Sequence, residues 1–295
     1  MKLLCFGNSG QVAMALAERA AMHTVECVCI GRPQVDLREP DSLLEAIDSN
    51  TPDLVVNAGA YTAVDAAETD RDTAFLINAE GARSLAKACA QHSVPLIHLS
   101  TDYVFDGFAD RAYRETDVLA PLNVYGASKL AGEIAVREEL TEHIILRSSW
   151  VVSPFGKNFI KTMLRLAEDR DIASVVDDQV GSPTGALDIA DTIFQIASVI
   201  TSTSKTDLFG TYHYCGRGYG SWADVAELVF RISQNRKNSK IVLKRIPSSE
   251  YPTPAKRPFN SRLETTKIER VFNVTPSEWT ASVTRTVNRL IDEGL

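Results

Sequence analysis

Tyr125-Gly126-Ala127-Ser128-Lys129 holds a phenol and an ammonium four positions apart. On a helix that spacing puts both side chains on one face, about 5–6 Å apart at Cβ. The pair suits reduction of a carbonyl: hydride arriving at the carbon leaves an alkoxide that must be protonated. A free phenol is a reluctant donor, and a nearby ammonium is expected to stabilise the phenolate and lower its pKa. The lysine can also hold a nicotinamide ribose. With eight tyrosines in the chain, such a spacing alone arises readily by chance, so context must carry it. Ser100-Thr101-Asp102-Tyr103 supplies that context at the end of an apolar run. The Thr101 hydroxyl there is placed to hydrogen-bond the reacting oxygen.

The hydride source is read from the N-terminus. Gly7-Asn8-Ser9-Gly10-Gln11-Val12-Ala13 follows an apolar strand and opens a helix. Gly7 and Gly10 permit a tight turn and close approach of backbone N–H groups to a pyrophosphate, which the helix N-terminus also attracts. Ala13 replaces the third glycine of such patterns and is small enough for close packing. After the second strand stand Gly31 and Arg32, with no carboxylate to grip a ribose 2′-hydroxyl. An arginine there accommodates a 2′-phosphate, so NADPH is expected over NADH, with NADH also usable. Asp36 and Leu37 are placed to meet the adenine side. Asn57–Asp65 is rich in small residues that let backbone pass close to a cofactor, Ala58 among them. Asp102 is followed by Tyr103, whereas the sugar-nucleotide dehydratases that these motifs resemble carry a glutamate there, so the resemblance disfavours elimination chemistry.

These residues need a scaffold that delivers them to one edge. Apolar runs at Leu3–Phe6, Val25–Ile30, Leu54–Asn57, Leu96–Ser100 and Ile144–Arg147 read as strands. Helical patterns fall between them at Gln11–Ala21, Ser42–Ser49 (Asp41 as N-cap), Thr73–Gln91 and Tyr125–Leu140. The alternation predicts an α/β fold: a Rossmann-type doubly wound parallel sheet with helices on both faces and ligands at the carboxyl ends of the strands. Residues 1–150 form the dinucleotide-binding part. Residues 151–295 form mainly a smaller α/β substrate lobe, with some later segments returning to the first. Helices are expected there at Phe159–Arg170, Ala186–Ile200, Ser221–Asn235 and Ser277–Asp292. Pro247–Pro258 reads as a loop and Thr201–Thr206 as a polar turn.

The bulk numbers suit one big domain or two unequal ones. The chain has 295 residues, 44% of them hydrophobic, and a net charge of −7, which gives no general attraction to nucleic acid or anionic membrane. Its five cysteines form no CxxC pair, and His92, His98, His143 and His213 lack ligand-like spacing. Neither a disulfide framework nor a metal site is expected. The absence of a signal-peptide pattern or of an apolar run of roughly 20 residues points to a cytoplasmic protein.

Several stretches along nearly the whole chain resemble the dTDP-4-dehydrorhamnose reductases, a family of the extended short-chain dehydrogenase/reductase superfamily. They are Gly7–Val12, Asn57–Glu68, Ser100–Phe105, Ala120–Glu133, Arg147–Val151, Asn158–Ala167, Asp178–Gly185 and Tyr251–Leu263. The resemblance implies that Gly10, Gln11 and Val12 contact cofactor phosphates and that Ala60, Tyr61, Thr62 and Leu99 line the cofactor. It implies Tyr125 as proton donor with Lys129 as its partner, and Thr101, Asp102 and Trp150 against a nucleotide-sugar. Trp150 could stack on sugar or base, and Arg257 and Arg262 could pair a diphosphate. Gly59 stands where relatives often have alanine, a harmless change. Ala15 and Leu187 stand where some members carry glutamates that bridge a dimer through magnesium, so no such bridge is expected and the chain is a monomer or homodimer. The implied reaction is reduction of the C4 keto group of dTDP-4-dehydro-L-rhamnose to dTDP-L-rhamnose. Alternatives are another nucleotide-sugar 4-ketoreductase or epimerase, or a non-catalytic NADP-binding regulatory subunit.

Overall fold

The computed structural model describes residues 1–202, 207–237 and 240–294. The first half alternates as its hydrophobic pattern requires: β1 (Lys2–Phe6), α1 (Gln11–Arg19), β2 (Glu26–Ile30), α2 (Pro40–Asn50), β3 (Leu54–Asn57), the short α3 (Val64–Ala67) and α4 (Arg71–Phe75), α5 (Gly81–His92), β4 (Leu96–Thr101), α6 (Val124–Glu139) and β5 (His143–Ser148). β6 (Val151–Val152), α7 (Phe159–Asp169), β7 (Ile172–Val176), β8 (Val180–Gly181), β9 (Thr184–Gly185), α8 (Ala186–Thr201) and β10 (Gly210–His213) follow. The chain ends with β11 (Gly220–Ser221), α9 (Trp222–Lys237), β12 (Val242–Ile246), β13 (Asn260–Ser261), α10 (Thr266–Phe272) and α11 (Trp279–Asp292).

Six of these strands form one parallel sheet in the order β10-β5-β4-β3-β1-β2. The order reverses at β1, whose neighbours are β2 and β3, and a crevice opens at the carboxyl ends of strands around such a reversal. Phe6 is in register with both Ile30 and Asn57, so the three strands end level with one another. Both sheet faces are covered: α1 and α8 pack on one, α2 and α5 on the other. A separate core under α7, α9 and α11 organises the second lobe. β10 comes after that lobe has begun, yet it pairs with β5 in the first sheet.

Two local expectations are corrected. α2 begins at Pro40 with Glu39 at its N-cap, so Asp41 lies in the first turn, where its charge suits the helix dipole, and does not cap. The pattern over Thr73–Gln91 is not one helix: α4 passes through a π-helical turn at Leu76–Glu80 before α5 begins. Within the expected turn at Thr201–Thr206, positions 203–206 lie outside the described residues. Among the described residues, no helix is long and apolar enough to cross a membrane.

Candidate active site

α6 starts where it does because the Asn123 side chain caps it, accepting from Gly126 N–H at 2.8 Å and donating to the Lys256 carbonyl at 2.8 Å. The helix seats closely on the turn after β4: a Cβ at Gly126 would fall 2.2 Å from the Tyr103 carbonyl oxygen. That fit brings Tyr125 beside Thr101, whose hydroxyl acts on the phenol. Thr101 ends β4, accepts from Tyr103 N–H at 3.2 Å and donates to Asp102 Oδ1 at 3.0 Å. The Tyr103 ring meets Tyr125 edge-on, with centroids 5.6 Å apart.

The electrostatics reverse one expectation. Burial, with the Asp102 charge adding to it, pushes the Tyr125 phenol up to about 12, against the Thr101 hydroxyl. Lys129 is itself pulled down to about 8 by burial, opposed by Glu133, and its ammonium donates to the Leu99 carbonyl at 2.8 Å. Desolvation therefore governs the phenol, and Lys129 is not among the groups that shift it. Tyr125 stays protonated through the neutral range, the state a donor needs.

Lys129 is followed at the same spacing by Glu133 and Arg137, and the sequence reading gave neither a role. Glu133 is 0% exposed and Arg147 on β5 is 1% exposed. The Glu133 carboxylate accepts from Arg147 at 2.8 and 2.7 Å, from Ser100 Oγ at 2.6 Å and from Arg137 at 2.8 Å. Burial alone would raise its pKa, but these partners hold it below the ordinary carboxylate range. The signal was present: a tyrosine, lysine, glutamate and arginine four apart share one helix face.

A cleft of about 680 Å³ opens at the reversal of the sheet. Gly7, Gly10, Arg32, Asp36 and Leu37 line it on one side, and Ala58, Ala60 and Thr62 on the other. Gly7 has φ +133°, where a side chain would strain the backbone, and a Cβ there would fall 3.2 Å from backbone atoms of Ala58 and Gly59. Gly10 is the N-cap of α1 and offers no side-chain cap. A Cβ built on it meets nothing within 4 Å, so the helix N–H groups face open space. Asp36 is held by Arg38, which keeps its carboxyl below the usual range. Gly59 is less indifferent than its sequence context implied: a Cβ there would fall 2.9 Å from a Leu37 methyl.

Besides Tyr125 and Lys129, four expected cofactor residues are not part of that lining. Val12 and Leu99 pack against the core, with the Leu99 carbonyl taking Lys129. Gln11 turns to the second lobe, its Oε1 accepting from Ser153 at 2.9 Å and Asn158 at 3.1 Å. Tyr61 is gripped through its backbone by Asn78, which accepts from its N–H at 2.8 Å and donates to its carbonyl at 3.1 Å. Asn78 lies in the π-helical turn and also donates to Ser128 Oγ at 2.9 Å. One buried amide thus ties the cleft loop to the helix of Tyr125 and Lys129.

The expected substrate residues are partly committed already. Asp102 is 3% exposed, and its Oδ2 has no hydrogen-bond partner among the described residues. Burial lifts its pKa to about 6, against the neighbouring Ser261 and Thr101 hydroxyls. Trp150 has φ +47° and lies flat on Trp222, centroids 3.6 Å apart, so one ring face is taken. Arg257 is paired in two-pronged fashion with Asp65 at 2.9 and 2.8 Å. Arg262 holds Asn260 and the Asp110 carbonyl and lies over the Tyr219 ring. His98 bonds Asn57 and His213 bonds Arg147 and the Tyr113 carbonyl, places of structural consequence.

Known proteins share this sequence and fold along nearly the whole chain. The family described as RmlD substrate binding domain matches residues 1–291. A dTDP-4-dehydrorhamnose reductase of Sinorhizobium fredii is 45% identical over 294 residues, covering 100% of this chain and 99% of that protein. The crystal structure of a dTDP-4-dehydrorhamnose reductase from Clostridium acetobutylicum superposes with a TM-score of 0.91 at 31% identity, covering 99% of this chain and 100% of the other. One from Bacillus anthracis, solved in complex with NADP, gives 0.90 at 32% identity and covers 98% and 99%.

Proposed function

We propose, since this chain belongs to the RmlD substrate binding domain family, that it is a dTDP-4-dehydrorhamnose reductase acting with NADPH. It reduces the C4 keto group of dTDP-4-dehydro-L-rhamnose to give dTDP-L-rhamnose, in the cytoplasm, as a monomer or homodimer. The observation that carries this reading is Thr101 at the carboxyl end of β4 acting on the Tyr125 phenol, with Lys129 one turn further along α6 fixed at the Leu99 carbonyl of the same strand. The dinucleotide is assigned to the lobe of residues 1–150 together with α8 and β10, and the sugar mainly to the remainder of 151–295.

The cleft residues fit a dinucleotide. The open space at Gly10 over an uncapped helix N-terminus is a cradle for a pyrophosphate. Gly7, Ala58, Ala60 and Thr62 leave backbone within reach of it, and Arg32 stands where a 2′-phosphate would be met. Once bound, the reduced dinucleotide supplies the hydride.

The chain's residues do the rest. Tyr125 delivers its phenolic proton to the C4 oxygen as negative charge develops there. Its high pKa keeps that proton available, and an alkoxide is basic enough to take it. Thr101 orients the same oxygen through its hydroxyl. Lys129, fixed at the Leu99 carbonyl, places its ammonium to stabilise the phenolate left behind and to hold a ribose. Asp102, Trp150 and Arg257 border the sugar-nucleotide side, where Arg257 would exchange part of its hold on Asp65 for a diphosphate.

The test is consumption of NADPH absorbance by purified protein on adding dTDP-4-dehydro-L-rhamnose, with dTDP-L-rhamnose identified as product. Folded protein that binds NADPH but leaves that substrate unchanged would overturn the assignment.

A further inference from the structure

Three of the five cysteines meet on one sheet face beside the loop that rims the cleft. Cys5 on β1 and Cys29 on β2 are register partners. Cys27 lies two residues before Cys29 and so points to the same face. The Cys27 and Cys29 sulfurs are 3.8 Å apart, while the Cys5 thiol donates to the Gly7 carbonyl at 3.6 Å. Cys5 is fully buried, whereas Cys27 and Cys29 are partly exposed, because β2 is an edge strand of the sheet. Cys89 and Cys215 are buried in other clusters.

This grouping singles out one thiol. Thiolate is the reactive form of cysteine, and hydrogen bonds from neighbouring donors favour it. Hydrogen bonding from Cys27, then from Cys5, holds the Cys29 thiol well below its ordinary value, while the Cys27 thiol is pushed up. As a thiol, Cys29 can donate to the Ala13 carbonyl at 3.4 Å. As thiolate it gives up that weak contact and receives its neighbours' protons instead.

We propose that Cys27 and Cys29 form a modification site for hydroperoxides, at which a reversible Cys27–Cys29 disulfide loosens the dinucleotide cleft. In the first step the Cys29 thiolate attacks a peroxide oxygen. An S–O bond forms and the O–O bond breaks, and the leaving oxide takes a proton from solvent. Cys29 is oxidised to the sulfenic acid and the hydroperoxide is reduced to water or an alcohol. With Cys29 oxidised, the hydrogen bond that held the Cys27 proton is gone; Cys27 gives up that proton and its sulfur attacks the Cys29 sulfur. The S–S bond forms, the S–O bond breaks, and the departing hydroxide leaves with a proton as water.

Closure deforms β2. The sulfurs must move from 3.8 Å to about 2.05 Å, and alternate residues of an extended strand stand near the upper limit a disulfide spans. An edge strand can buckle because it is held on one side only. Ile30 follows Cys29 directly, and its carbonyl accepts from Gly7 N–H at 2.6 Å. Ile30, Gly31 and Arg32 all line the cleft. A buckle at Cys27–Cys29 therefore pulls on the bond that holds the phosphate loop in place.

The test oxidises the purified protein with hydrogen peroxide, maps the thiols by mass spectrometry and titrates NADPH before and after. The affinity of the reduced protein, measured first, separates a failure of the cofactor assignment from a failure here. The expected result is a Cys27–Cys29 disulfide reversed by dithiothreitol. NADPH affinity falls about fivefold, equivalent to one weakened hydrogen bond of ~1 kcal/mol. Cys27→Ser should accumulate a dimedone-reactive sulfenic acid at Cys29, and Cys29→Ser should consume no peroxide. A disulfide that includes Cys5, first oxidation at Cys27, Cys89 or Cys215, or unchanged NADPH affinity in fully oxidised protein overturns the proposal.

Discussion

Replacing Glu133 by Gln keeps the side chain's shape and removes one buried negative charge. In the native chain that charge faces Arg147 through two hydrogen bonds and Arg137 through a third, with Ser100 as the fourth donor. Arg147 is 1% exposed, and its other neighbours are His213, at 3.3 Å, and the Phe105 ring. His213 supplies no counter-charge: burial and then Arg147 hold its pKa down to about 3, so it is neutral, and its charged form would be a second cation. The substitution strands a buried cation, and breaking such a pair costs about 3–5 kcal/mol. That is a large part of the roughly 5–15 kcal/mol by which a domain is stable. The Glu133 pKa is depressed in the fold, so its contribution is complete above its unfolded value and lost as pH falls through the folded one. Wild type and variant should differ fully at neutral pH and converge in acid. A second effect reaches the reaction: Glu133 opposes the burial that pulls Lys129 down to about 8. Without it Lys129 loses its proton at lower pH, and the alkaline limb of the kcat/KM profile moves down with it. Urea denaturation at neutral and acid pH, together with that profile, reads both effects. A variant within about 1 kcal/mol of wild type at neutral pH, or one with an unmoved alkaline limb, refutes this account of the cluster.

The other expectations are single substitutions. Tyr125→Phe removes the proton donor and should lower kcat about 10²–10⁴-fold while leaving NADPH affinity near wild type by titration. Asp102→Asn should stabilise the protein above about pH 6 by roughly 1–3 kcal/mol in thermal or urea melts, while lowering activity. Its folded pKa of about 6 lies above the ordinary 3.8, so ionising it through that window costs stability that an amide does not forfeit. Arg32→Ala should weaken NADPH binding about 10–100-fold and leave NADH binding nearly unchanged, as competitive titrations would report.

Much of the scaffold was legible because short apolar runs separated by amphipathic segments leave few other topologies. Leu54–Asn57 and the glycine turn after Phe6 appear where the pattern placed them. The break at Leu76–Glu80 was not legible, since every residue there is compatible with a helix. Its rationale is Asn78 holding the backbone of Tyr61, a contact spanning 17 residues that periodicity does not encode. Arg257 read as a free partner for a diphosphate because the carboxylate that already holds it, Asp65, stands 192 positions away. The Tyr125 phenol was expected to shift down because sequence displays the neighbouring ammonium and conceals the desolvation. Glu133 is the instructive miss. Extending the spacing that found Lys129 by one more step would have exposed it.

The return of β10 to the first sheet bears on how the chain is made. Ser148 ends β5, and the strand that pairs with it begins at Gly210, about 60 residues later. During synthesis the growing sheet therefore presents an open β5 edge, with Arg147 lacking His213, until the α8 and β10 segments have emerged. The long-range closure of that edge marks the slow, concentration-sensitive interval of folding. Fragments that stop after Trp150 would leave it permanently exposed, which makes them poor vehicles for isolating the dinucleotide lobe.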